Sequence, residues 1–205
     1  MEVKQRIEGK AFEMFMRYGI RSVSMDDIAG ELGMSKKTLY QHFSHKDELV
    51  DAVVVDDIKH DQQDCLLATS KANNAVEEIF YVMQFVLRQL KNINPVVLYD
   101  LQKFHPKAFQ RFEKHKNEFM LNMVKQNLTR GIAEELYRPE LNIDVISKFR
   151  LESMFIPFNM GLFPVGKYDV ADVTQEIMEH YVYGIATPKG YKLIQKYKNE
   201  FQLNK

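Results

Sequence analysis

Residues 24–46, SMDDIAGELGMSKKTLYQHFSHK, constrain this chain more than any other stretch. They read as two short helices joined by a tight turn. Ser24 followed by Asp27 is a Ser-x-x-Asp capping signature, which starts a helix at Met25. Ile28, Ala29 and Leu32 share one face of that helix, and Gly33 supplies the left-handed residue that stops it. Ser35 caps a second helix over residues 36–42, in which Leu39 and Phe43 are spaced to pack inward. Lys36, Lys37, Thr38, Tyr40, Gln41 and His42 are left to face outward. Two short helices around a Gly-containing turn form the helix-turn-helix arrangement, whose second helix enters the DNA major groove.

Charge bears on that reading in two ways. Lys+Arg and Asp+Glu are each 28, so the net charge is zero, and the sum alone argues against a nucleic-acid partner. Position outweighs the sum, because screening confines distant acids to a reach of about 8–10 Å. Residues 34–46 hold Lys36, Lys37 and Lys46 and no acid. Over residues 4–21, Lys4, Arg6, Lys10, Arg17 and Arg21 outnumber Glu8 and Glu13.

With 205 residues and 45% apolar side chains, the chain can bury a core and form one or two domains. A lone cysteine, Cys65, allows no intrachain disulfide and fits a reducing compartment. No stretch approaches the ~20 apolar residues of a membrane span, and the first residues lack the apolar run of a signal peptide. The expectation is a cytoplasmic protein with no membrane partner.

Helical spacing runs through the rest of the chain. Residues 3–18 form a first helix with Ile7, Ala11, Met14, Phe15 and Tyr18 on its apolar face, closed by Gly19. Its other face, with Lys4, Lys10 and Arg17, either approaches the DNA backbone or is simply solvated. Ser44 and Asp47 make a second capping signature, opening a long helix through Val50, Val53, Val54, Ile58 and Leu66, with Lys46 in its first turn. Residues 69–74 read as a turn. Helices follow over 75–92, 95–104, 107–130 and 143–161, the last kinked or ended by Pro157. A further helix spans 170–185, then a loop at 187–190 and a final helix from Tyr191. No strand pattern and no repeat interrupts this, so the fold class is all-α.

Met25-Asp26-Asp27-Ile28-Ala29, then Gly33 through Phe43, then Lys46 and Leu49, resembles the DNA-binding domain of the tetracycline-repressor (TetR) family of bacterial transcription regulators. The likeness covers residues 5–50, and the run from Thr38 to Phe43 with Lys46 three positions on is its most specific part. A weaker likeness to the middle of some members lies in Gly131-Ile132-Ala133-Glu134 before Tyr137-Arg138-Pro139. Members often carry glycine where Lys37 stands and valine where Met34 stands, which blocks direct transfer of base preference. The resemblance implies a three-helix DNA-binding domain over residues 1–46 and a larger helical ligand-binding and dimerisation domain over 47–205. It further implies a homodimer on double-stranded DNA, an interface made mainly by the last two long helices, and a ligand that releases the DNA. Residues 170–185, with Gly184 allowing close approach, and part of 143–161 are the expected interface, although the same stripes would serve a monomer's core.

Within the second helix of the motif, Lys36, Lys37, Thr38 and Gln41 suit base edges, lysine pairing with guanine and glutamine with adenine. Ser24, Ser35, Tyr40, His42 and Lys46 suit phosphates, which set register. In the body, Phe80, Met83, Phe104, Phe112, Phe119, Met123, Met154 and Phe158 either line an apolar pocket for a hydrophobic small-molecule effector or fill the core. His60 and Asp64, with Asp56 and Asp57 nearby, have a spacing that could hold a metal but read better as a solvated face. No nucleophile motif, phosphate loop or Cys-His spacing is present, so no enzyme, cofactor or metal is expected. The expected function is a ligand-responsive repressor on a near-palindromic operator. The alternative is a binding protein whose first helices dock a protein partner.

Overall fold

The computed structural model describes residues 2–201. Its helices are α1 (Val3–Tyr18), α2 (Met25–Glu31), α3 (Lys36–His42), α4 (Lys46–Lys71), α5 (Ala75–Leu90), α6 (Val96–Phe104), α7 (Pro106–His115), α8 (Leu121–Ala133), α9 (Ile143–Ser153), α10 (Val170–Ile185) and α11 (Pro188–Glu200). No strand occurs among the described residues, so the all-α expectation holds. Packing separates two compact units, Met1–His60 with Asn92–His115, and Asp61–Lys91 with Lys116–Lys205. That division differs from a boundary at residues 46 and 47, because α6 and α7 pack with α1–α3 and the first part of α4.

In the first unit the core gathers Ile7, Ala11, Phe15, Ile28, Leu39, Phe43 and Leu49, all essentially inaccessible. Tyr18 departs from the expected α1 stripe and is 48% exposed, while Ile20 and Val23 of the following loop take the inner positions. Gly19 closes α1 at φ 85°, and a side chain there would collide with Val96 of α6. The α1–α2 loop is held from α6 by the Arg21 N–H donating to Asp100 Oδ2 at 2.8 Å. The Asn94 N–H donates to the Met16 carbonyl at 2.7 Å.

In the second unit, α5 packs against α8, α10 and α11. Phe80, Met83, Leu128, Tyr137, Val182, Ile185 and Ile194 lie at its centre. Two glycines permit close approaches there. A Cβ on Gly131 would sit 2.0 Å from the Tyr137 ring, and one on Gly190 would sit 2.1 Å from the Leu136 carbonyl oxygen. The Tyr137 hydroxyl donates to Ala75 O at 3.0 Å and to Asn127 Oδ1 at 3.1 Å. The Ala75 N–H at the start of α5 donates to Glu134, which Arg130 holds by a 2.7 Å ion pair.

Several boundaries differ from the sequence reading, each for a local reason. Ser44 does not cap α4. Its N–H donates to Glu48, and His45 Nδ1 accepts from the Glu48 N–H instead. α4 runs on through residues 69–71, and Leu66 is exposed rather than inward. The helix expected over 107–130 is continuous but contains a π-helical turn, Lys116–Met120, at the boundary of the two units. α9 stops at Ser153, and Pro157 lies in a separate short 3-10 turn, Ile156–Phe158. The expected loop at 187–190 is the first turn of α11, with Thr187 capping the Gly190 N–H and Pro188 at the first helical position.

Candidate nucleic-acid interface

The geometry of α2 and α3 follows from their caps. Ser24 Oγ accepts from the Asp27 N–H at 3.1 Å, and the Ser24 N–H donates back to the Asp27 carboxylate at 2.8 Å. The Ser24 hydroxyl, then its backbone N–H, hold the Asp27 carboxyl below its usual range. At the other end Gly33 takes φ 63°, and the Met34 N–H reaches back to Ala29 O at 3.0 Å, fixing the turn into α3. Ser35 Oγ accepts from the Thr38 N–H at 3.1 Å and shares a 2.8 Å hydrogen bond with the Thr38 hydroxyl. Leu39 and Phe43 are buried, so one face of α3 is anchored and the other is presented.

That outer face is narrower than the sequence implies. Lys37, Tyr40, Gln41 and His42 are exposed, and no hydrogen bond or ion pair within the described residues engages their side chains. Lys36 is exposed but paired with Asp26 of α2, which raises the lysine's pKa. Ser24, Ser35 and Thr38 spend their hydroxyls on caps. Lys46 lies furthest from an outward placement. Its amine turns inward, donates to Ile20 O at 2.5 Å and sits 5.9 Å from the centre of the Phe15 ring. Burial pushes its pKa down against the attraction of Asp100, Asp47 and Asp27. On α1, Lys10 pairs with Glu13 and Lys4 lies over the Phe43 ring, which leaves that basic side partly engaged. Asp26 and Lys36 are ten residues apart, so no helical spacing marks them as partners. The one local signal, an acid in the first turn of α2, is equally explained by the helix dipole.

The eight apolar residues proposed for a ligand divide. Phe80 and Met83 fill the core of the second unit, Phe80 with its ring centroid 5.9 Å from that of Tyr197. Phe104 and Phe112 belong to the first unit, where Phe104 lies under the Arg21 guanidinium and Phe112 stacks on Phe109. Phe119, Met123, Met154 and Phe158 are half-buried in the second unit. A small cleft in that unit, about 10 Å³, is lined by Asp61, Asp64, Cys65, Val82, Phe85, Val86 and Gln89 and by none of the eight. It has room for no more than a water molecule. Burial pushes the Cys65 thiol up to about 12, so it is unreactive at neutral pH.

The family model described as bacterial regulatory proteins, tetR family, matches residues 9–53. The HTH-type transcriptional regulator YvaF of Bacillus subtilis is 31% identical over 143 residues, 65% of this chain and 74% of that protein. The chain belongs to the TetR family. It is therefore a DNA-binding transcription regulator, which answers the protein-docking alternative. Among solved structures, the ketosteroid transcriptional regulator KstR2 of Mycobacterium tuberculosis superposes with a TM-score of 0.64 at 22% identity, covering 91% of this chain and 96% of that one. A regulator from Saccharomonospora viridis, solved in complex with choline, gives 0.74 at 16% identity over 90% of this chain and 97% of its own. At those identities the likeness is one of fold, and it extends the TetR architecture beyond the matched head to the rest of the chain. No helix among the described residues is long and apolar enough to cross a membrane.

Proposed function

We propose that this TetR-family regulator is a cytoplasmic, effector-responsive repressor that binds a near-palindromic operator as a homodimer. One observation carries the reading. The recognition helix α3 is capped, anchored by Leu39 and Phe43, and presents Lys37, Tyr40, Gln41 and His42 unpaired on one side. Lys37 and Gln41 suit base edges, and Tyr40 and His42 suit phosphates. Lys36 joins them once DNA competes with Asp26, whereas Ser24, Ser35 and Thr38 act by shaping the turn. Residues 1–46 are the DNA-binding domain, and residues 47–205 serve dimerisation and effector binding.

The dimer surface on this reading centres on α9 rather than α10. Most apolar residues of α10 are buried, Ala171, Ile177 and Tyr183 are half-buried, and its exposed positions are Asp172, Glu176, His180 and Gly184. α9 instead leaves Val145 and Phe149 57% and 55% exposed, one turn apart. A hydrophobic effector that binds the DNA-incompetent state more tightly shifts the population away from the operator. Phe119, Met123, Met154 and Phe158 are the candidate lining. Selection of bound sequences from random duplex DNA tests the reading. The expected result is an inverted repeat with half-site centres about one helical turn, or a multiple of it, apart. A single unrepeated site, or no enrichment, would overturn it.

A further inference from the structure

Arg150 lies on α9 and is only 6% exposed, yet among the described residues no carboxylate pairs with it. Its surroundings satisfy little of it. Nη1 approaches Ser153 Oγ at 3.5 Å, the limit of a hydrogen bond, and Ser153 donates its own proton to the Arg150 carbonyl at 2.7 Å. The guanidinium carbon lies 5.1 Å from the centre of the Tyr181 ring on α10. A ring face offers partial compensation, and among the described residues no other protein acceptor meets the fork. Burial pulls the guanidinium down to about 10, still charged at neutral pH, and pushes the Tyr181 phenol up to about 12. Two turns before Tyr181 on the same helix, the Thr174 hydroxyl is buried with no hydrogen-bond partner.

A buried cation without a counter-charge is costly, and folds tolerate one where something else supplies the anion. The neighbourhood indicates what kind. Met154 is one turn beyond Arg150, and the Ile156–Phe158 turn packs on both α9 and α10. Phe155 and Phe158 are half-buried there. A planar fork over the Tyr181 ring, on a helix followed by Met154 and the Ile156–Phe158 turn, matches a carboxylate carried on an apolar body.

We infer that Arg150 is the anchor for the carboxylate of an amphipathic ligand, with Tyr181 as a further polar partner and Met154 and Phe158 against its apolar part. This rests on the reading of the chain as effector-responsive and adds the effector's chemical class. The test uses the full-length protein, with decanoate and 3-phenylpropionate against decanol and 3-phenylpropanol, and inorganic phosphate as a separate arm. Binding is read by calorimetry, and operator release by anisotropy. At least one carboxylate should bind more than tenfold tighter than its alcohol. Arg150→Met should erase that preference while melting no lower than the native protein, and Arg150→Lys should keep part of it. Equal binding of acid and alcohol, no binding by either acid, or a preference that survives Arg150→Met would overturn the anchor. Phosphate displacing the acids with equal affinity would overturn the carboxylate assignment. If alcohols release DNA as well as acids, the effector reading stands and the anchor falls. Arg150-dependent acid binding that leaves DNA affinity unmoved keeps the anchor and removes the effector reading.

Discussion

Two kinds of acceptor compete for the amine of Lys46, a DNA phosphate outside the head and the carbonyls of the α1–α2 loop. In the folded chain Ile20 O has it at 2.5 Å, with Arg21 O at 3.4 Å. The residue therefore braces the loop that leads into the recognition motif. Lys46→Met should lower stability by about 1–2 kcal/mol, the worth of a charge-assisted hydrogen bond, and leave the salt dependence of DNA binding unchanged. Lys37→Ala in the same assay should leave the melting temperature alone and relax preference at one base position. A salt slope reduced by about one in Lys46→Met would return that lysine to the phosphates. Residue identities alone could not make this choice. The caps of Ser24 and Ser35 join atoms three residues apart and are legible from spacing. Lys46–Ile20, Lys36–Asp26 and Arg150–Tyr181 join residues ten to thirty-one positions apart and exist only after folding.

The first turns of α4 bind the head to α6 and α7 within the first unit. Asp47 Oδ1 lies 2.7 Å from His105 Nδ1, and Asp51 pairs with Arg111 at 2.6 Å and Lys107 at 3.0 Å. Burial pushes the Asp51 carboxyl up, but hydrogen bonds from Arg111 and Lys107 outweigh it and hold the group below its ordinary 3.8. A carboxyl depressed by folding stabilises the fold fully above its unfolded value and loses that contribution as pH falls through the folded one. The contribution is modest, about 1 kcal/mol, because Lys107 and Arg111 are well exposed. Asp51→Asn should thus melt lower than the native protein at pH 7, and the gap should close below pH 4. A gap that does not narrow as pH falls below 4 would mean that the loss is one of packing. At this scale the amphipathic stripes of α1 and α10 gave their ends correctly from periodicity. The π turn at Lys116–Met120 had no such signal, since one extra residue per turn leaves the Phe and Met spacing nearly unchanged. The weak family likeness at Gly131 and Glu134 proves to be packing. Gly131 makes room for Tyr137, and Glu134 caps α5.

For the whole molecule, zero net charge sets the problem that the proposed dimer answers. With Lys36 paired to Asp26 and Lys46 turned inward, one head brings few free cations to the phosphates. Its affinity should be weak and steeply dependent on a second head held at the matching half-site. The apolar face proposed to hold two copies together is the one on α9, where Val145 and Phe149 are 57% and 55% exposed. Phe149→Glu places a charge at the centre of that face and touches neither α3 nor the buried core. It should convert the protein to a monomer by light scattering at micromolar concentration, with a near-native melting profile. Operator affinity should fall at least a hundredfold while binding to a single half-site stays the same. A Phe149→Glu protein that remained dimeric would place the interface on another surface. A monomer that bound the full operator undiminished would show that one head suffices, and that the charge deficit is met by contacts outside α3.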